Sequence, residues 1–264
     1  MTKRERHAAI MEMLVQQNQL SVSYMSEELG VSSVTIRKDL IELETERKLY
    51  RSHGKAVLIN PYEQPIQNTK ERLCVDEKRL IGNLAASMIS TNDSVMLACG
   101  STVNALSRAI DGSKAMTVVT SSLQVAETLS RHKAVQIIQM GGIIRHGSMS
   151  VVGSYAEAIL RDFFCSKLFI GVEGIDVEFG ITTTDIREAS LSRRMMRSAQ
   201  KTIVIADSTK FGRRGFSKIC DMTDVDLIIT DSHVKPTIVK QIEEMGVEMV
   251  IATDELVASL GDNE

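Results

Sequence analysis

The sequence predicts an α/β protein in two parts: a small N-terminal helix-turn-helix with an appended β-hairpin, then a larger, mainly parallel α/β domain. Three observations predict it. The first 59 residues show helical apolar spacing punctuated by cap residues and Gly30. The chain beyond residue 93 alternates short apolar runs with helical stretches. Two of the three prolines, Pro61 and Pro65, fall in the polar stretch between these regions. A length of 264 residues accommodates two such parts. A composition of 43% hydrophobic and 25% charged residues excludes a disordered or fibrous chain.

From Arg4 to about Gln17 a helix is expected, with Ile10, Met13, Leu14 and Gln17 on one face. Leu20 and Ser21 form a short extended link. Ser21 or Ser23 caps a second helix, in which Met25 and Leu29 lie one turn apart, and Gly30 supplies the left-handed residue that ends it. Ser32 caps a third helix that buries Ile36, Leu40 and Leu43 and turns Val34, Arg37, Lys38 and Ile41 the other way. Extended segments around Leu49–Ser52 and Ala56–Ile59 flank the hairpin tip His53-Gly54-Lys55. The expected domains are residues 1–59, a connector over 60–75, an α/β domain over 76–251 and a polar tail over 252–264.

In the larger part a helix over 76–89 precedes the strand VMLA (95–98). MTVVT (116–120), VQIIQM (135–140), KLFIGV (167–172), TIVIAD (202–207), DLIIT (226–230) and VEMVI (247–251) follow, with helices between them. Near-continuous apolar strands alternating with helices predict a parallel sheet covered on both faces.

Charge and cysteine content narrow the function classes. The net charge of -3 argues against a protein that coats nucleic acid over its whole surface. Residues 1–59 carry nine Lys/Arg and eight Asp/Glu, so a DNA reader here depends on where its cations sit. Cysteines 74, 99, 165 and 220 form no C-x-x-C pair, so neither a zinc site nor a disulfide framework is expected. No apolar run approaches the ~20 residues of a membrane span. The start MTKRERHAAI lacks the apolar core of a secretory signal. A cytoplasmic protein with reduced thiols, no cofactor and no membrane partner is expected.

Ser32, Ser33 and Thr35 crowd the start of the third helix, where hydroxyls and free backbone N–H groups suit phosphate oxygens. Arg37 and Lys38 point outward to reach base edges, and Arg51, His53 and Lys55 put cations on the hairpin. These eight residues are the expected contacts with double-stranded operator DNA. One such module offers a small interface, so a homo-oligomer is expected. In the larger part several strands end in small or polar residues just before a helix. Cys99-Gly100-Ser101-Thr102, Thr120-Ser121-Ser122, Gly141-Gly142 and Asp207-Ser208-Thr209-Lys210 are the cases. Ligands of open parallel sheets bind outside such strand ends, and glycines, hydroxyls and helix N-termini there suit an anion. The ordinary alternative is that these residues are turn glycines and helix caps. Neither G-x-G-x-x-G nor G-x-x-x-x-G-K-[ST] is present, so dinucleotide and nucleoside-triphosphate fingerprints are absent.

VSSVTIRKDL (31–40) followed by LYRSHGKA (49–56) resembles the winged helix-turn-helix of the deoxyribose-operon-repressor (DeoR) family of bacterial regulators. The family commonly has two arginines where this chain has Arg37-Lys38, and two glycines where it has Gly54-Lys55. CGST, TVVTSSLQVAETL, QMGGIIR, SVVG, FIGVEGID, GITTTDIREA and ADSTKFG stand in the order of the family's sensor-domain motifs. The resemblance implies the fold shared by ribose-5-phosphate isomerase, glucosamine-6-phosphate deaminase and CoA transferases. It also implies a phosphorylated sugar or related metabolite as effector. The site residues it implies are Gly100, Ser101, Thr102, Ser121, Gly141, Gly142, Arg145, Glu188, Asp207 and Lys210. Ala98 and Ser121 replace a usual Asp and Asn, each able to bind sugar hydroxyls. The expected function is a sequence-specific transcriptional regulator, a repressor of a carbohydrate-use operon, with no catalytic residues. The competing reading is a sugar-phosphate isomerase or deaminase with an appended helix-turn-helix, in which Glu188 is the base and Lys210 holds phosphate. An isomerase does not need the first 59 residues.

Overall fold

The computed structural model describes residues 2–17, 19–45, 48–52, 55–58 and 70–261. The chain divides into two compact units, Met1–Gln64 and Pro65–Glu264. The expected connector and hairpin tip fall largely outside the described residues.

The first unit contains α1 (Lys3–Gln17), β1 (Gln19–Ser21), α2 (Val22–Leu29), α3 (Ser33–Thr45), β2 (Leu49–Ser52) and β3 (Lys55–Leu58). Ser21 caps α2, its hydroxyl accepting from Tyr24 N at 3.1 Å. Gly30 ends α2 at φ 61°, a left-handed conformation that glycine adopts without a side-chain clash. Ile10, Leu14, Leu20, Met25, Ile36, Leu40, Leu43, Leu49 and Ala56 form its core. One difference from the sequence reading concerns Leu20 and Ser21. They are not merely a link but part of β1, which pairs antiparallel with β3 and completes a sheet of order β1-β3-β2. A three-residue strand has too short an alternation to be read before its partner is placed.

The second unit is built on a seven-stranded sheet. Its elements are α4 (Val75–Ser87), β4 (Ser94–Leu97), α5 (Ser101–Ala109), β5 (Met116–Thr120), α6 (Leu123–Leu129), β6 (Val135–Gln139), β7 (Ile143–Arg145), β8 (Ser150–Val152), α7 (Ser154–Ile159), β9 (Cys165–Ile170), β10 (Gly174–Asp176), β11 (Gly180–Thr183), α8 (Ile186–Arg197), β12 (Ala199–Ile205), β13 (Ser217–Cys220), β14 (Leu227–Asp231), α9 (Pro236–Glu244), β15 (Glu248–Ala252) and α10 (Asp254–Gly261). The sheet order is β15-β14-β12-β9-β4-β5-β6, and every pairing is parallel. Both faces are covered, which is why the strands read as unbroken apolar runs. On β4, Val95 and Leu97 enter one core and Met96 enters the other. From β4 the chain adds β5 and β6 on one side, then crosses back to add β9 and β12 on the other. The gap between β4 and β9 is therefore the topological switch point, where open sheets bind ligands.

Three features depart from the sequence reading. The segment expected as a polar tail contains α10, whose Leu256 and Val257 pack against the core cluster of α4 and β4. Residues 70–74, expected in the connector, are already held by the second unit: Lys78 Nζ donates to the carbonyls of Lys70 and Leu73, each at 2.7 Å. A hairpin of β7 with β8 and a sheet of order β10-β11-β13 also stand beside the main sheet. Their strands are three or four residues long, too short for an alternation to be read, and the β11–β13 pairing is non-local.

Candidate nucleic-acid interface and ligand site

In the first unit the start of α3 is held by its own side chains. Ser32 Oγ accepts from Thr35 N at 3.2 Å and shares a hydrogen bond with Thr35 Oγ1 at 2.9 Å. Both hydroxyls therefore serve first as the cap of α3. Ile36, Leu40 and Leu43 are fully buried. Opposite them Arg37 and Lys38 are exposed, Ser33 is half-buried, and neither cation joins an ion pair among the described residues. Lys55 is exposed at the start of β3. Arg51 differs from expectation. Its backbone N–H donates to Glu44 Oε1 at 2.8 Å and its Nε to Glu44 Oε2 at 2.6 Å, so its charge is already matched. His53 lies outside the described residues.

Sequence reasoning missed what fixes α3 in place. Asp39, 3% exposed, accepts from Arg6 Nε at 2.5 Å and Arg6 Nη2 at 2.8 Å, and His7 Nε2 lies 3.2 Å away. Burial works against the Asp39 charge, but Arg6 and His7 hold its pKa below the usual carboxylate range. The pair bridges more than thirty positions, so no local spacing signals it.

In the second unit the loops after β4 and β9 meet at the switch point. Gly100 sits at φ 130° just before α5, and a Cβ on it would lie 3.9 Å from the Cα of Gly171. A Cβ on Gly171 would stand 3.2 Å from the Cys99 carbonyl. Ser101 is half-buried at the first turn of α5, whereas Thr102 is buried. α5 therefore offers an uncapped N-terminus whose N–H groups suit an anion. Arg145 and Glu188, placed here only by resemblance, are in contact. Arg145 Nη1 donates to Glu188 Oε2 at 2.5 Å and its Nε lies 3.4 Å from Asp185 Oδ2. Asp185 caps α8 by accepting from Arg187 N and Glu188 N at 2.8 and 3.1 Å. Cys99 Sγ lies 3.5 Å from Glu188 Oε1, so this pair adjoins the Gly100 loop. Burial and Glu188 push the Cys99 thiol up to about 12, so it stays protonated and is no nucleophile.

Asp207 and Lys210 follow β12. Asp207 is buried and caps the next turn by accepting from Thr209 N at 3.0 Å. Lys210, one of the expected effector contacts, donates from its Nζ to Glu173 Oε2 at 2.9 Å. Glu173 also accepts from Lys70, and Lys78 Nζ lies 3.8 Å from Asp207 Oδ2. Burial would raise the Glu173 pKa, yet Lys210 and Lys70 hold it at about 2. Burial likewise opposes the Lys210 charge, but Glu173 and Asp207 raise its pKa above the usual lysine range. Lys70, Lys78 and Lys210 thus meet Glu173 and Asp207 at the strand ends, and Asp231 Oδ2 accepts from Ser208 N at 2.7 Å beside them. Lys70, Lys78 and Glu173 escaped the sequence reading. Glu173 stands inside the motif FIGVEGID but carries no local mark of its partners.

Other expected residues have structural duties. Ser121 is 2% exposed and its carbonyl accepts from Val151 N at 2.9 Å, which docks β8 beside the end of β5. Gly142 is required by packing, since a Cβ there would lie 2.7 Å from the Val152 carbonyl oxygen. Gly141 is exposed and open, with nothing near it to define a contact. Among the described residues no group of His, Cys, Asp and Glu suits a metal ion, and no helix is long and apolar enough to cross a membrane.

Comparison with known proteins places these two regions. Residues 6–62 match a DeoR-like helix-turn-helix domain and residues 73–232 match a DeoR C terminal sensor domain. The HTH-type transcriptional regulator YulB of Bacillus subtilis (strain 168) is 35% identical over 93% of this chain and 95% of its own length. A putative aga operon transcriptional repressor of Escherichia coli O157:H7 is 33% identical over 94% of this chain and 93% of its own. The HTH-type transcriptional repressor GlcR of B. subtilis (strain 168) is 32% identical over 95% and 97% respectively. Among solved structures, ribose 5-phosphate isomerase A from Neisseria gonorrhoeae aligns over 55% of each chain at 17% identity with a TM-score of 0.40, too slight a likeness to argue from.

Proposed function

This chain belongs to the DeoR family of helix-turn-helix transcriptional regulators, and we propose that within that family it represses a carbohydrate-use operon and is released from DNA by a phosphorylated sugar or related metabolite. As a member of that family it is a DNA-binding regulator and not an enzyme. The repressor reading is supported by relatives named as repressors over nearly their whole length. The observation that carries the ligand class is the switch-point geometry. Gly100 opens the N-terminus of α5 there, and no side chain caps it, so its N–H groups are left to a ligand. Phosphate oxygens suit the N–H groups of α5 and the Ser101 hydroxyl. Arg145 and Glu188 then present a donor and an acceptor to the hydroxyls of the same ligand.

The residues proposed to touch DNA are Ser33, Arg37, Lys38 and Lys55, with Ser32 and Thr35 holding the helix start that faces the phosphates. Two copies of the chain reading two half-sites give the interface that one module lacks. The site is proposed to act in the cytoplasm, where operator and sugar phosphates meet. A thermal-shift panel of phosphorylated sugars on the purified full chain tests the ligand class. A true effector at a hundred times its Kd stabilises the binding state by about 2.7 kcal/mol. A panel in which the unphosphorylated sugars shift melting as much as their phosphates would remove the anion from the proposal.

A further inference from the structure

The exposed face of α3 is not purely cationic. Val34 is 58% exposed and Ile41 is 47% exposed, one on each side of the exposed pair Arg37 and Lys38. The four positions stand at i, i+3, i+4 and i+7, so they form one stripe, and Ile36, Leu40 and Leu43 occupy the opposite, fully buried side. A scattered exposed Val or Ile needs no explanation, and Val15 of α1 is one such case. Two in line with exposed cations that join no ion pair among the described residues, on a helix with a capped start, are different. A polyanion drawn in by Arg37 and Lys38 covers both apolar side chains in the same act.

We propose that Val34 and Ile41 read sequence by packing against the C5-methyl groups of two thymines in the major groove of the operator. The thymine methyl is the one apolar feature that a base edge presents there, while the remaining edges are hydrogen-bonding groups that an aliphatic side chain would leave unpaired. Spacing adds a second constraint. Seven residues of helix rise about 10 Å, and base pairs are stacked about 3.4 Å apart, so the two thymines stand about three base pairs apart. Arg37 lies between them along the helix and takes the guanine edge that suits a guanidinium fork. The half-site is thus a guanine flanked by two thymines. The inference rests on α3 being the DNA-reading helix and deepens that reading by naming the bases.

The test uses the full chain and a duplex selected by the wild-type protein from a random pool. Each thymine of the duplex is replaced in turn by uracil, which removes the methyl group and leaves base pairing intact. Binding is expected to weaken about fourfold, equivalent to ~0.8 kcal/mol, at two positions about three base pairs apart. Val34→Ala should abolish the uracil effect at one of them and Ile41→Ala at the other, each leaving the partner position sensitive. Wild-type binding that ignores every uracil, or variants that keep both sensitive positions, would overturn the assignment without need of any variant that misfolds. A wild-type protein that selects no duplex at all would instead count against α3 as a DNA reader.

Discussion

On α3, Arg37 and Lys38 stand exposed and outside any ion pair among the described residues, whereas at the strand ends of the second unit Arg145, Lys70, Lys78 and Lys210 each lie against a carboxylate. The contrast follows from the partner each region must meet. DNA arrives with its own charge and counterions, so cations that read it gain affinity by staying solvated until contact. A small ligand gains from groups already held in place, and holding a buried ammonium in place requires a matching carboxylate. Asp39 shows that the first unit also uses the second arrangement where it needs rigidity, locking α1 to α3 through Arg6 and His7.

That contrast can be broken most forcefully at Asp39. Asp39→Ala takes the shared partner from Arg6 and His7 and should give the largest loss of stability in the first unit, read as denaturant unfolding of the full chain. A loss below about 1 kcal/mol would class the pair with exposed ion pairs. Glu173 is the next test. Its folded pKa lies near 2, below the ordinary value, so its contribution is present in full above about pH 4.5 and is lost as pH falls toward 2. The size is on the order of 3 kcal/mol, and Glu173→Gln should flatten that acid limb of the melting curve. An unchanged pH profile would mean that Lys70 and Lys210 do not hold the carboxylate as described. The smallest effects separate the arginines of the first unit. Arg37→Ala should weaken specific DNA binding by roughly 1–3 kcal/mol without affecting folding. Arg51→Ala, whose guanidinium is occupied by Glu44, should change it by well under 1 kcal/mol. Equal losses for the two would show that Glu44 releases Arg51 to the DNA.

Much of the fold was legible because its signals are local. Gly30, the caps and the stripe of Ile36, Leu40 and Leu43 lie within one turn of each other, and the main strands are buried on both faces and therefore continuously apolar. The hidden parts depend on distant partners. β1 becomes a strand only through β3, and α10 becomes part of the core only because Leu256 and Val257 find a surface. The same division holds at the sites. Arg37 and Lys38 could be read outward from the buried face of α3. The neutralisation of Lys210 by Glu173 and of Arg51 by Glu44 could not, because ion pairing is decided by the folded geometry. Gly100 was legible as a strand-end glycine, but its contact with Gly171 at the switch point required the sheet order.

The most direct measurement combines both regions in one protein. Ser101→Asp places a negative charge at the N-terminus of α5, in the second unit, while α3 is untouched. Binding to the selected duplex is followed by fluorescence anisotropy as the phosphorylated sugar identified by thermal shift is titrated in. Wild-type protein should be released, and Ser101→Asp should bind the duplex with wild-type affinity yet stay bound throughout the titration. Release of the variant at the wild-type concentration would place the anion elsewhere, and loss of duplex binding before any sugar is added would make the loop a structural element instead.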